Sequence, residues 1–198
     1  MKVKCKNPLA LLLFYWKYGR KDWIEDVYNP GFESWSLLHC AIVWNPQPKI
    51  LEFLLEYIED SNVLDNDGRS PFFLAVQLKR FELCQILLPK VPNFDLNLPK
   101  YGSILSWSIS PRDDLRFLKL LMPHVKNKNP YVICKQYFNE VTPLHIAVDN
   151  NLIQTVRYLI SVLDENEIFI KNRESGETPC DIAKRKNFDE ICELFKIL

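Results

Sequence analysis

Thr142-Pro143-Leu144-His145-Ile146-Ala147 decides how this chain folds, because imperfect copies of it return along the sequence at nearly regular distances. Taken alone, the stretch describes the start of a helix. Thr142 can cap it, Pro143 suits the first helical position, where no N–H is needed, and Ile146 and Ala147 continue a helix that tolerates close neighbours. Fixing the Thr or Ser of each copy gives Ser36, Ser70, Ser103, Thr142 and Thr178, with separations of 34, 33, 39 and 36 residues. A second landmark tests that register independently. An apolar pair closing a second helix falls 17 and 18 residues after the Ser or Thr at Leu87-Leu88, Leu120-Leu121 and Leu159-Ile160. At Leu54-Leu55 the pair is one residue late, and at Leu194-Phe195 one early.

A T-P-L-H-x-A element at a period near 33 resembles the ankyrin repeat, and the resemblance runs from about Gly31 to the C-terminus. It implies an all-α fold, an ankyrin-repeat solenoid of paired antiparallel helices joined by hairpin-like loops, with about five to six repeats. Residues 1–198 are then one domain. Residues 1–31 form a degenerate N-terminal capping repeat, 32–64, 65–97, 98–136 and 137–172 are repeats, and 173–198 is a C-terminal capping repeat.

The capping repeat is expected to open a helix at Asn7-Pro8 and form a second from Asp22 to Tyr28. Leu9 to Trp16 is apolar nearly all round, whereas terminal units ordinarily turn a polar face outward, so a second copy, a partner or the following repeat must cover it. Repeat one, Ser36-Leu37-Leu38-His39-Cys40-Ala41, keeps the His and the Ala but not the Pro. Its second helix, from about Pro48 to Ile58, should bury Ile50, Leu51, Phe53, Leu54 and Tyr57 and expose Glu52, Glu56 and Glu59. Repeat two carries the clearest turn, Asp65-Asn66-Asp67-Gly68-Arg69-Ser70-Pro71, in which Gly68 supplies a positive φ and Asp65 accepts backbone N–H groups. Repeat three, Gly102-Ser103-Ile104-Leu105-Ser106-Trp107-Ser108, has lost Pro, His and Ala, and the long excursion Pro123 to Glu140 follows it. In the last copy Asp181 stands where the His would be. Between the paired helices the family usually has a left-handed Gly. Asn45, Lys79, Asn151 and Asn187 stand near that place here, and Asn tolerates the conformation best after Gly.

Lys+Arg and Asp+Glu each number 25, so the net charge is zero and the pI about 6.8. No net field favours nucleic acid or an anionic membrane. Acids still gather between Gln47 and Asp67 and bases between Arg112 and Lys135, which reads as solvated faces. The six cysteines lack C-x-x-C spacing and several lie in apolar helical patterns, as buried reduced thiols would. The start, with Lys2, Lys4 and Lys6 before an apolar run, imitates a secretory signal, but Tyr15-Trp16-Lys17-Tyr18 follows in place of small residues. No apolar run reaches the ~20 residues that span a bilayer. The expected localisation is cytoplasmic, with the nucleus as the alternative.

Chemistry is sparse. His39 and His145 hold the motif position, where the resemblance implies a structural bridge, and His124 has no ligand pattern beside it. There is no short-spaced Cys/His set for zinc, no phosphate-binding glycine loop, and no nucleophile elbow. Asp113-Asp114 and Asp164-Glu165 are neighbours in sequence, which on a helix do not face each other, and read as surface charges. The expectation is a non-enzymatic protein with no metal and no cofactor.

The resemblance implies binding by a concave face and hairpin tips, which points to Phe32, Glu33, Trp35, Val43 and Trp44, to Asn66, Asp67, Arg69, Gln77 and Leu78, and to Lys100. Further along it points to Phe138, Asn139, Val141 and Asp149, and in the last repeat to Glu174, Glu177, Arg185 and Lys186. Ser110, Pro111 and Asn150 occupy the same helix-end places. The aromatic group Phe32, Trp35 and Trp44 stands out, since Trp is enriched at interface hot spots. The expected partner is another protein, held by an adaptor, scaffold or inhibitor. The alternatives are a homodimer through the apolar N-terminal helix and an inhibitor masking a transcription factor or enzyme.

Overall fold

A computed structural model of the chain describes residues 36–44, 47–91, 97–98, 102–125, 132–134 and 137–197. The N-terminal capping repeat, Asn45 and residues 126–131 of the excursion lie outside them. The chain divides into two compact units, residues 1–93 and 94–198.

In the first unit, α1 (Leu37–Trp44) and α2 (Pro48–Tyr57) form one pair, and α3 (Pro71–Gln77) and α4 (Phe81–Leu87) the next, with α1 against α3 and α2 against α4. Pro48 and Pro71 open their helices at the first turn, where the missing N–H costs nothing. The Ser70 hydroxyl accepts the Phe73 N–H at 3.1 Å. Every residue of α3 from Pro71 to Val76 is buried, because an inner helix is flanked by neighbours on most sides. α2 buries Ile50, Leu51 and Leu54 as expected, with Phe53 and Tyr57 half-buried and their rings 5.0 Å apart.

In the second unit, β1 (Asn97–Leu98) pairs antiparallel with β2 (Gly102–Ser103), then come α5 (Ile104–Ser108) and α6 (Arg116–Leu121). β3 (Val132–Cys134) pairs with β4 (Tyr137–Val141), Val132 lying opposite Val141. The excursion therefore ends as the hairpin of repeat four, which leads directly into Thr142. α7 (Pro143–Asp149), α8 (Ile153–Val162), a short α9 (Glu165–Ile168), α10 (Pro179–Arg185) and α11 (Asp189–Lys196) complete the unit. The inner helices α5, α7 and α10 lie side by side, and α8 packs on α11. Ala147 and Ala183 are fully buried where these inner helices meet. α11 buries only Ile191, Leu194 and Phe195 and turns Asp189, Glu190 and Glu193 to solvent, the one-faced pattern of a capping helix.

The left-handed residues fall at Lys79 (φ 58), Asn151 (φ 55) and Asn187 (φ 56), three of the four expected places, and each ends its inner helix in the same way. The following N–H reaches back five residues in a Schellman turn: Arg80 to the Ala75 carbonyl, Leu152 to Ala147, and Phe188 to Ala183, at 2.9–3.0 Å. Repeat three departs from this. Its inner helix has only five residues, and Ser108, fully buried in the place of the Ala, turns its hydroxyl to the Leu105 carbonyl at 2.6 Å. The chain then turns through Ser110-Pro111-Arg112-Asp113, closed by the Asp113 N–H on the Ser110 carbonyl at 3.0 Å, and the left-handed residue is Asp113 (φ 56).

Asp113 is not the surface charge that adjacency suggests. Its carboxylate accepts the backbone N–H groups of Gln154 at 2.6 Å and Thr155 at 2.8 Å, and the Thr155 hydroxyl at 2.6 Å. The N-cap position of α8 itself is Leu152, which has no side-chain oxygen to offer. Repeat three thus caps the outer helix of repeat four with a charged acceptor, where both the exposed donors and the helix dipole favour it. Asp164 also has a structural task, closing a capping box with Glu167 at the start of α9, while Asp114 pairs with Arg116 at 2.7 Å.

Candidate functional site: a cleft between adjacent hairpin tips

The motif histidines fix the tips. In repeat four the Thr142 N–H donates to His145 Nδ1 at 3.2 Å, so Nδ1 is an acceptor and the proton sits on Nε2, which donates to the Glu177 carbonyl at 3.1 Å. In repeat one His39 does the same, Nδ1 receiving the Ser36 N–H at 3.1 Å and Nε2 donating to the Arg69 carbonyl at 3.0 Å. Burial pushes both imidazoles below their ordinary pKa, against the carbonyl bond that works the other way. Each His is a neutral strut from an inner helix to the tip of the next repeat, as the resemblance implied. Asp181 reproduces only the near half of that arrangement, accepting the Thr178 N–H at 3.0 Å and hydroxyl at 2.7 Å, and those bonds hold its carboxyl below the usual range.

The two carbonyls so anchored belong to tips built on one plan with different side chains. In repeat two, Asp65 accepts the N–H groups of Asp67 and Arg69 at 3.0 and 2.8 Å, and the Arg69 guanidinium pairs with Asp65 at 2.8 Å and Asp67 at 3.3 Å. In the last repeat Asn172 takes the place of Asp65, accepting the Ser175 N–H at 2.8 Å, and Glu177 takes the place of Arg69. Glu177 instead reaches Arg185 on α10 at 2.7 Å, and this guanidinium, followed by the Ser175 hydroxyl, holds its carboxyl below the usual range. Lys186 turns back to the end of α7, bonding the Asp149 carboxylate at 2.7 Å and the Asp149 carbonyl at 2.9 Å. A cation at a helix C-terminus is favourably placed.

Between these groups lies a cleft of about 150 Å³. Val141 and Ile146 from repeat four and Ile182 from α10 make its apolar floor beside the His145 ring, and Asp149, Asn172, Ser175, Glu177 and Arg185 its polar walls. Of the residues the sequence points to, Val141, Asp149, Glu177 and Arg185 come together here; Val141 is only 7% exposed and belongs to the floor. Asn172, Ser175, Ile146 and Ile182 are additions. Asn172-x-x-Ser175 is an Asx-type turn that its spacing could have revealed.

The other expected residues do not converge on it. Asn66 is exposed at the tip of repeat two, Arg69 is turned into that tip, Leu78 is 39% exposed, and Val43 and Gln77 are half-buried. Phe32, Glu33, Trp35 and Lys100 lie outside the described residues, and for Trp44, Phe138 and Asn139 the backbone alone is described. Among the described residues no group of three or more His, Cys, Asp or Glu could hold a metal ion, and no helix is long and apolar enough to cross a membrane. Cys40 and Cys84 are buried free thiols, pushed up by burial to about 11 and about 12.

The sequence pattern of ankyrin repeats (three copies) matches residues 4–100 and again 105–196. The chain belongs to the ankyrin-repeat family. It is similar to the ankyrin repeat domain-containing protein OPG023 of cowpox virus (strain Brighton Red), with 23% identity over 178 residues, 88% of this chain and 24% of that protein. It is also similar to mouse Rabankyrin-5, with 28% identity over 133 residues, 63% of this chain and 10% of that protein. The chain thus spans only a small part of either relative. Ankyrin repeats are general protein–protein interaction modules, and the all-α architecture of paired helices and hairpin loops is that of the family.

Proposed function

We propose that the chain is a non-enzymatic ankyrin-repeat binding module that holds a partner protein by its hairpin tips and the exposed ends of its inner helices. The observation that carries this reading is the cleft at the tip of the last repeat. It has an apolar floor of a size to take one side chain, and walls whose charges are already fixed by Glu177–Arg185 and Asp149–Lys186. Walls held in this way cost little ordering entropy on binding. Such a surface suits an adaptor, a scaffold or an inhibitor that covers its partner. The test is affinity capture with the wild-type chain and with Ile146→Glu/Arg185→Glu, after circular dichroism and urea unfolding show both to be folded. Loss of specific partners from the variant supports the reading. An unchanged partner set, both with this variant and with Asn66→Arg/Leu78→Glu in the first unit, sinks it.

A further inference from the structure

Four Ser/Thr-Pro dipeptides occur in the chain, at Ser70, Ser110, Thr142 and Thr178. Three of the hydroxyls are consumed by the fold. Ser70, Thr142 and Thr178 are N-caps whose oxygens accept the N–H three residues on, and the first two are at most 3% exposed. Ser110 is set apart by its position, while its burial matches that of Thr178. It caps no helix, it is half-buried, and Pro111 and Arg112 beside it are exposed. Its hydroxyl makes one long bond, accepting the Arg112 N–H at 3.3 Å. The preceding Ile109 is extended (φ −64, ψ 127), and Pro111 biases Ser110 the same way. We propose that Ser110 is a phosphorylation site for a proline-directed serine/threonine kinase, and that the phosphate weakens the hold of Asp113 on the start of α8.

The chemistry is a transfer of the γ-phosphoryl group of ATP to Ser110 Oγ. The bond from that phosphorus to the ADP oxygen breaks, an ester bond to Oγ forms, and the hydroxyl proton leaves with the kinase's base. The consequence follows from the turn. Ser110 and Asp113 are its first and last residues, joined by the Asp113 N–H on the Ser110 carbonyl, so their Cα atoms lie within about 7 Å. A phosphoserine carries about −1.5 to −2 charges at neutral pH, and beside a carboxylate it disrupts by like-charge repulsion. The carboxylate at the other end of this turn is the one holding the Gln154 N–H, the Thr155 N–H and the Thr155 hydroxyl. The Arg116 guanidinium is already engaged by the Asp114 carboxylate, at 2.7 to 3.2 Å, which limits its use as a counter-charge.

The experiment treats the purified full chain and Ser110→Ala with Mg-ATP and a proline-directed kinase, followed by peptide mapping and amide hydrogen exchange. One phosphate on Ser110, none on the other three dipeptides, a melting temperature lower by about 3–6 °C and faster exchange at Gln154 and Thr155 are expected. No phosphate on Ser110 under conditions that fully modify a control peptide overturns the site. A phosphate that leaves both the melting temperature and these two amides unchanged overturns the consequence. Ser110→Asp provides a second route independent of the kinase, and it should speed exchange at the same amides. In Asp113→Asn the phosphate should have less to repel, so an undiminished shift there would also count against the proposal.

Discussion

Removing the Asp113 carboxylate tests the idea that one repeat caps the helix of the next. Asp113→Ala takes away three acceptor contacts, of 2.6, 2.8 and 2.6 Å. Losing the cap on the Gln154 and Thr155 N–H groups should cost about 1 kcal/mol, within a range of roughly 0.5–2. Thr155 is 1% exposed, so its hydroxyl, left without an acceptor, adds about 1–3 kcal/mol. Ala at φ 56 is also poorer than Asp, by up to about 1 kcal/mol. The expected loss is therefore about 3 kcal/mol, read as a lower urea midpoint by circular dichroism. Three companions separate the contributions. Asp113→Asn keeps one acceptor but sets an amide donor against a donor, and should lose about half as much. Asp113→Gly removes the side chain without the backbone strain, and should be more stable than Asp113→Ala by up to about 1 kcal/mol. Thr155→Val added to Asp113→Ala removes the stranded hydroxyl and should recover about 1 kcal/mol. If Asp113→Ala unfolds within about 0.5 kcal/mol of wild type, or if Thr155→Val makes it worse, the cap across repeats is not what holds α8.

Stability should also depend on pH through the two struts. His39 and His145 are lowered in the folded state, so the unfolded chain binds protons first; their contribution is complete above about pH 6.5 and is lost as the pH falls below it toward the folded values. Urea midpoints between pH 8 and pH 5 should fall with acid, and His39→Gln/His145→Gln should flatten that fall while lowering stability at pH 8. Thiol labelling should follow burial. Cys40 and Cys84, raised to about 11 and about 12, should stay unmodified by iodoacetamide at pH 8 in the folded chain while the half-buried Cys180 and Cys192 react, as peptide mapping would show. Lys79→Gly, at an exposed left-handed position closing a Schellman turn, should stabilise the first unit by about 0.5–1 kcal/mol in the same urea assay.

What the sequence exposes about this protein, and what it hides, follows from the range over which each residue acts. Thr142, Pro143 and the Nδ1 side of His145 work within one turn of helix, through a cap, a fixed φ and an imidazole on its own N-cap. Their spacing is therefore written into adjacent letters and can be counted. Gly68 and the left-handed Lys79, Asn151 and Asn187 are legible for the same reason. Asp113 is not: its partners lie 41 and 42 residues away, and its position depends on the one extra residue that Pro111 forces into the turn after a shortened α5. Reading Asp113-Asp114 as a pair of neighbours could only yield surface charge. The cleft is half legible in the same sense. Asp149 and Arg185 come from known helix ends, but that Glu177 spends its charge on Arg185 while Arg69, at the equivalent place, spends its own on Asp65 and Asp67 depends on which neighbour each side chain meets. The repeat thus fixes where the backbone carbonyl of a tip must be, since a histidine from the preceding repeat holds it. It leaves the side chain of the same residue free to change sign, and this is how tips of one geometry can present different surfaces to a partner.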